Sequence, residues 1–142
     1  MKIYLDTSSL IKLYHTETET EKLDALFEHN QIETIYLSEI TKLEFNSAIR
    51  KKVRTKDLTN TVAAAIIDSF EADYSNFTFI KIDNELILIA RELISKFAKE
   101  GLRTLDAIQL ASIILIKQQI TFAITADKLL QTFIHTEGVN TL

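Results

Sequence analysis

Short runs of β-branched and aromatic residues alternate along the chain with longer segments whose apolar residues recur at helical spacing. The short runs predict strands at residues 2–5, 34–38, 77–82 and 120–125, with a short final strand within 138–142. The longer segments predict helices at residues 8–15, 19–30, 38–53, 58–75, 84–100 and 105–116, and a last helix from 127. This alternation indicates an α/β protein, with a parallel sheet of four or five strands covered on both faces.

Polar residues and glycine mark the expected helix ends. The expected N-caps are Thr7 or Ser8, Ser38, Asp83, Thr104 and Asp127. Gly101 is the expected left-handed stop after the fifth helix. Pro is absent and Gly occurs only at positions 101 and 138, so long helices with short joints are expected. A length of 142 residues suggests one domain over residues 1–142.

The composition restricts the chemistry that the chain can carry. There is no Cys, and the three His residues are spread over positions 15, 29 and 135, so any metal ion must be held mainly by oxygen. The 16 basic and 20 acidic residues give a net charge of −4, which argues against a generally basic nucleic-acid binder. A nucleic-acid enzyme is still allowed, because bound cations can invert the field at a carboxylate site.

The apolar runs are too short for a membrane protein. The longest, "AAAII" and "IILI", are far below the roughly 20 residues that a membrane helix needs. No signal peptide is visible at the start of the chain. We therefore expect a soluble protein with no membrane contact, and the lack of Cys fits a reducing cytoplasm.

Four acidic residues stand where predicted strands and helices meet. Asp6 and Asp127 follow predicted strands, while Glu44 and Asp106 lie in early turns of predicted helices. Each has a simple structural alternative. Asp6 and Asp127 can be turn formers or helix caps, and Asp106, expected as the second helical residue, can favour the helix dipole. Glu44 can be a solvated side chain beside an apolar stripe that includes Leu43.

Taken together, the four acids indicate a site. The carboxyl ends of parallel strands meet at one edge of the sheet, and sites form there near a topological switch point. Four acids converging at that edge would repel one another and raise each other's pKa values. A divalent cation removes this conflict, and oxygen-only ligation favours Mg²⁺ or Mn²⁺.

The segments around these acids resemble the PIN-domain family, specifically the VapC-type toxin ribonucleases. The matching segments are "IYLDTSSLIKLY" around Asp6, "SEITKLEFNSAIRK" around Glu44, "RTLDAIQLASIIL" around Asp106 and "FAITADKLLQ" around Asp127. Their order and separations match the family, and together they cover nearly the whole chain. The closing segment "HTEGVNTL" is a poor version of the family's usual ending.

The resemblance implies a Rossmann-like α/β/α sandwich and a Mg²⁺- or Mn²⁺-dependent endoribonuclease. It implies that Asp6, Glu44, Asp106 and Asp127 are both the catalytic residues and the metal ligands, with supporting hydroxyls at two family positions, Thr7 and Thr125. VapC-type proteins are commonly homodimers that a partner antitoxin neutralises. The resemblance therefore implies that the chain is the toxin of a type II toxin–antitoxin pair.

The implied reaction is metal-assisted hydrolysis of RNA phosphodiester bonds, with one or two metal ions. RNA also needs positive contacts, and segment 50–56 holds five basic residues just after the Glu44 helix. The candidate phosphate contacts are Arg50, Lys51, Lys52 and Arg103. A solvated helix end is the alternative for the 50–56 segment. Without the four candidate ligands the acidic residues number 16, equal to the basic ones, so the site accounts for the net charge.

Two other classes of protein compete with a nuclease. A non-catalytic RNA-binding or scaffold module of the same fold would have little reason to keep four mutually repelling acids. A HAD-like or CheY-like phosphotransfer protein also uses an Asp at a strand end. The chain has no convincing Asp-x-Asp pair after its first strand, which disfavours that class.

Overall fold

The computed structural model describes residues 1–16 and 20–142. Its sheet has four parallel strands in the order β3-β2-β1-β4. The strands are β1 (Lys2–Leu5), β2 (Thr34–Ser38), β3 (Thr78–Ile80) and β4 (Phe122–Ile124). The expected final strand is a single parallel bridge between Ala123 and Thr141. The prediction of a parallel α/β sheet is confirmed.

Seven helices are assigned in the described ranges, together with one short 3₁₀ helix at Tyr74–Asn76. They are α1 (Thr7–Tyr14), α2 (Thr20–His29), α3 (Thr41–Arg54), α4 (Asn60–Ala72), α5 (Asn84–Lys96), α6 (Thr104–Ile116) and α7 (Lys128–Thr136). Residue 19, the expected start of the second helix, lies outside the described residues. No helix in the described part of the chain is long and apolar enough to cross a membrane.

The helices form two layers around the sheet, and β1 shows why. Alternate residues of a strand point to opposite faces. Ile3 and Leu5 pack into a core with residues of α1–α4, whereas Tyr4 packs into a second core with residues of α5, α6 and α7. All three side chains are fully buried. The result is the α/β/α sandwich that the resemblance implied.

Several helices begin elsewhere than predicted, because backbone geometry selects a different cap. Asp6, rather than Thr7 or Ser8, caps α1, since its extended backbone lets the carboxylate accept the Ser9 N–H. Ser38 still pairs within β2, so α3 begins three residues later, at Thr41.

The start of α6 also differs from the prediction. Arg103 is the extended residue before α6, and it makes no side-chain cap. Thr104 is therefore the first helical residue rather than the cap, which makes Asp106 the third helical residue instead of the second. The predicted caps of α5 and α7, Asp83 and Asp127, are confirmed.

Several other helices and strands are shorter than predicted. Helix α5 ends at Lys96, and a series of turns continues to Gly101, whose φ of +77° is the expected left-handed stop. The segment expected as one helix over 58–75 divides into α4 and the 3₁₀ helix. Strands β3 and β4 each lose residues at their ends, where pairing stops.

The strand order places the switch point beside β1. From β1 the chain continues to β2 and β3 on one side, and it reaches β4 on the other side only after α5 and α6. The carboxyl ends of β1 and β4 therefore flank the position where ligands bind in open parallel sheets. Asp6 immediately follows β1, and Asp127 lies three residues after β4 ends.

Candidate active site

Asp6 is buried at the end of β1 and is held by neutral donors. Its Oδ1 accepts the backbone N–H of Ser9 at 2.9 Å, and Ser8 Oγ donates from 2.8 and 2.9 Å to the two carboxylate oxygens. Thr125 Oγ1 donates to Oδ2 from the end of β4. Burial raises the pKa of Asp6, and the hydrogen bonds from Thr125, Ser9 and Ser8 oppose that shift. No described cation forms an ion pair with this carboxylate.

Asp127 lies on the other side of the switch point and is connected to Asp6 through Thr125. Its Oδ1 accepts the N–H groups of Leu129 and Leu130 at 2.9 and 3.1 Å, which caps α7. Its own N–H donates to Thr125 Oγ1 at 3.0 Å, and the same hydroxyl donates to Asp6. The cap interpretation of Asp127 is therefore correct, and the cap holds the residue beside the end of β1.

Glu44 reaches the same edge from α3. Its Oε1 accepts a hydrogen bond from Thr7 Oγ1 at 2.9 Å and one from Gln109 Nε2 at 2.7 Å. The prediction that an apolar stripe beside Glu44 includes Leu43 is wrong, because the Leu43 side chain is 67% exposed. The core face of α3 is the row that contains Phe45 and Ile49, one helical turn apart. Glu44 lies next to that row and is partly buried.

Asp106 is less enclosed than Asp6, with 23% of its side chain exposed. Arg103 Nε lies 3.6 Å from its Oδ2, in an ion pair whose arginine is 78% exposed. Burial raises the pKa of Asp106, the charge of Asp127 raises it further, and the charge of Arg103 opposes both. Asp106 and Asp127 thus lie close enough to repel each other.

The four acids form a connected series in space around one edge of the sheet. Asp6 connects to Asp127 through Thr125, and Asp127 interacts with Asp106 through its charge. On the other side, Thr7 follows Asp6 directly and donates to Glu44. Burial raises the pKa of Tyr4 well above its usual range, and the charges of Asp6 and Glu44 raise it further, so both acids also lie near this hydroxyl.

The donor chemistry of this edge fits a hard divalent cation. The candidate ligands offer only oxygen, as Mg²⁺ and Mn²⁺ prefer. Asp6 is a buried carboxylate with no cation partner among the described residues, and buried charges are ordinarily paired or bound to metal. Within the described ranges, however, no three His, Cys, Asp or Glu side chains already form a group that could hold a metal ion. The acids surround the edge, and their side chains would have to move together around a cation.

Only some of the candidate RNA contacts lie near the acids. Lys51 lines a cavity of about 400 Å³ together with Ser8 and Lys52, and a second cavity of about 270 Å³ together with Glu44. Arg103 is next to Asp106. Arg50 is exposed and lines neither of these two cavities.

Two residues of the site were not predicted from the sequence. The first, Gln109, is 3% exposed and contacts Tyr4, Thr7, Thr41 and Glu44. The sequence signal was a Gln inside the almost wholly apolar segment that follows Asp106.

The second is Ser8, which was considered only as a helix cap. Besides its hydrogen bonds to Asp6, its Oγ accepts the backbone N–H of Ala126 at 3.1 Å. Nothing local in the sequence marks this contact, because it joins segments 118 residues apart.

Comparison with known proteins identifies the family. The model of the PIN domain matches residues 3–133 of this chain. The chain belongs to the PIN-domain family. A search of curated proteins gives no match.

Solved structures show the same fold at low sequence identity. The toxin VapC20 of Mycobacterium tuberculosis is 15% identical with a TM-score of 0.73, over 99% of this chain and 98% of that chain. FitAcB from Neisseria gonorrhoeae is 19% identical with a TM-score of 0.73, over 99% and 96% of the two chains. A chain of a toxin–antitoxin complex from Klebsiella pneumoniae is 22% identical with a TM-score of 0.61, over 88% and 86%.

Proposed function

We propose that this protein is a metal-dependent endoribonuclease, the toxin of a type II toxin–antitoxin pair, acting as a single domain over residues 1–142. One observation carries the enzymatic part of the proposal. Four carboxylates lie around the switch point of a parallel sheet, and the most buried of them, Asp6, has only neutral hydrogen-bond donors as described partners. Such an arrangement is costly unless a cation completes it.

In this proposal Asp6, Glu44, Asp106 and Asp127 hold Mg²⁺ or Mn²⁺ at the edge of the sheet. A bound divalent cation would polarise the phosphoryl oxygen and supply an activated water for hydrolysis. Thr7 and Thr125 act as supporting hydroxyls, because each donates a hydrogen bond to one of the acids.

The basic residues next to the acids are proposed to bind the RNA backbone. Lys51 and Lys52 line the cavity that also contains Ser8, one of the residues that donate to Asp6. Arg103 lies beside Asp106, so a phosphate near that acid would be within its reach. Arg50 was an equal candidate from the sequence, and its position away from these cavities makes it the weakest of the four.

The described roles of similar proteins support the biological part of the proposal. VapC20 is a toxin that cleaves the sarcin–ricin loop, and the K. pneumoniae structure is a toxin–antitoxin complex. We accordingly propose an antitoxin protein as partner, RNA as substrate, a homodimer as the working form and the cytoplasm as the location.

RNA cleavage by purified protein tests the proposal. Structured and single-stranded RNA would be incubated with wild type and Asp6→Asn in EDTA, Mg²⁺ or Mn²⁺, and the ends of the fragments would be sequenced. We expect discrete cuts by the wild type in metal, and none in EDTA or with Asp6→Asn. RNA binding without cleavage under every condition would instead support the non-catalytic module.

A further inference from the structure

Gln109 is a polar residue in α6, the most apolar of the seven helices in the described residues. Its side chain is 3% exposed, and its neighbours Leu110 and Ala111 are fully buried in the core. The amide nevertheless makes four polar contacts, which reach β1, α1 and α3. A Gln that served only to fill space would carry a desolvation penalty that a Leu or Met would not.

The contacts determine which way the amide points. Gln109 Nε2 lies 2.7 Å from Glu44 Oε1, and a carboxylate can only accept, so the NH₂ end must face Glu44. The opposite end, Oε1, can only accept, and the Tyr4 hydroxyl donates to it. The hydrogen bonds therefore run in one direction, from Tyr4 through Gln109 to Glu44.

The same contacts divide the two oxygens of Glu44. Both hydrogen bonds to this carboxylate, from Gln109 and from Thr7, end on Oε1. Among the described residues, Oε2 accepts none. One oxygen is thus anchored to the interior, and the other keeps its capacity for a further partner.

We propose that Gln109 is a positioning residue for Glu44, anchoring one carboxylate oxygen so that the other is presented to a divalent cation. This inference rests on the proposed metal site and adds a residue that the four acids do not include. The hydrogen bonds from Tyr4 through Gln109 then hold Glu44, the proposed metal ligand, in a fixed position. Partners of this kind typically change metal affinity by about 10- to 100-fold when they are removed.

The test compares two buried residues of the same helix. Gln109→Met keeps the length of the side chain and removes its hydrogen bonds. Leu110→Met is the matched control, since Leu110 is the fully buried neighbour of Gln109 and this change alters core packing without removing a polar group. Binding of Mn²⁺ alone would be measured by calorimetry. We expect the Kd to rise about 10-fold in Gln109→Met and by less than about twofold in Leu110→Met.

A double-mutant cycle separates positioning from a general structural role. In a Glu44→Gln background, the Gln109→Met change should have almost no further effect on Mn²⁺ affinity, because the group it positions is already lost. A general loosening of the core would weaken Mn²⁺ binding by the same factor in both backgrounds. Additive effects would therefore overturn the inference.

A second variant covers the outcome in which Gln109→Met does not fold. Tyr4→Phe keeps the buried ring and removes the hydroxyl that orients the amide, so it should raise the Mn²⁺ Kd by a smaller factor, again only when Glu44 is intact. If the wild type binds no Mn²⁺, the proposed metal site itself fails. If the wild type binds Mn²⁺ and neither Gln109→Met nor Tyr4→Phe changes the Kd, the metal site stands and the positioning role is wrong.

Discussion

The four acids form two pairs that the protein treats differently. The inner pair, Asp6 and Glu44, is fixed by side chains from distant segments, including Thr125 and Gln109. The outer pair, Asp106 and Asp127, is held mainly by its own helices, through a cap at Asp127 and the ion pair of Asp106 with Arg103 three residues before it. Asp6 also caps the start of its own helix, so the inner pair differs in being held additionally by hydrogen bonds from distant side chains.

This difference indicates which of the two pairs a bound cation would stabilise more. Both acids of the inner pair are already held by hydrogen bonds without a cation, and Glu44 keeps Oε2 for a further partner. In the outer pair, burial raises the pKa of Asp106, the charge of Asp127 raises it further, and the exposed Arg103 opposes both. We therefore expect the inner pair to be in place before metal arrives, and the outer pair to respond most when a cation binds.

The largest effect should come from removing one charge of the outer pair. Asp106→Asn should lower RNA cleavage by more than the roughly 10- to 100-fold expected for the loss of a supporting partner, because a ligand charge is lost. Cleavage rates of wild type and variant would be compared in Mn²⁺. Glu85→Gln is the matched control, since Glu85 is the first-turn acid of α5. Full activity of Asp106→Asn would return Asp106 to a helix-dipole role.

Metal should stabilise the wild type by a smaller but measurable amount. A ligand that binds only the native state adds RT ln(1 + [L]/Kd), about 2.7 kcal/mol at 100 times Kd. For a chain of this size that corresponds to a rise in Tm of roughly 5–10 °C. Melting would be compared in EDTA and in excess Mn²⁺.

In EDTA, Asp106→Asn should melt at the same or a higher temperature than the wild type, and it should gain less from Mn²⁺. An unchanged wild-type Tm in Mn²⁺ would count against the site.

The pH dependence of stability should show the same repulsion without metal. The folded pKa of Asp106 is raised, mainly by burial and then by Asp127, so the native state binds this proton more tightly than the unfolded chain. This group therefore contributes stability at low pH, and the contribution is lost as pH rises from about 4, the ordinary carboxyl value, through the folded pKa. Denaturant unfolding in EDTA at several pH values would measure it. The free-energy difference between Asp106→Asn and the wild type should grow with pH, and a constant difference would contradict the pKa shift.

The parts of the molecule set by local pattern were predicted well from the sequence. Strands β1 and β2 have their predicted bounds, and the caps Asp83 and Asp127 are where the sequence places them. Polar residues next to periodic apolar segments carry this information locally. The start of α3 was missed because Ser38 can either cap a helix or extend a strand, and pairing with β3 decides the matter.

The candidate site was predicted as a set of acids but not as a structure. Residue types, and their places after strands or in early helical turns, can be read from the sequence, and they predict that the four acids meet at one edge. Gln109 could not be predicted as the partner of Glu44, because the two are 65 residues apart and lie in helices of opposite layers, α6 and α3. For the same reason Leu43 was assigned to the wrong face, since only the packed structure shows that Phe45 and Ile49 face the core.

The smallest effects should come from the cations that flank each pair. Lys51 lines cavities that contain Ser8 and Glu44, next to the inner pair, whereas Arg103 lies beside Asp106 of the outer pair. Removing one cation that binds a phosphate of single-stranded RNA should reduce the slope of log K against log salt by about 0.7. RNA binding would be measured over a salt series in EDTA, where metal-dependent cleavage does not occur.

Both Lys51→Ala and Arg103→Ala should weaken RNA binding and reduce the salt slope, but only Arg103→Ala should also change Mn²⁺ binding. Arg103 is a positive charge beside a candidate ligand, so its removal takes away a competing cation and should strengthen Mn²⁺ binding where Asp106 is ionised. Lys51 forms no ion pair with a described acid, so its loss should leave Mn²⁺ affinity nearly unchanged. Arg50→Ala is the control on the same helix, and it should leave both RNA and Mn²⁺ binding close to wild type. If Arg50→Ala and Lys51→Ala weaken RNA binding equally, the segment acts through its total charge rather than through the cavity beside the inner pair.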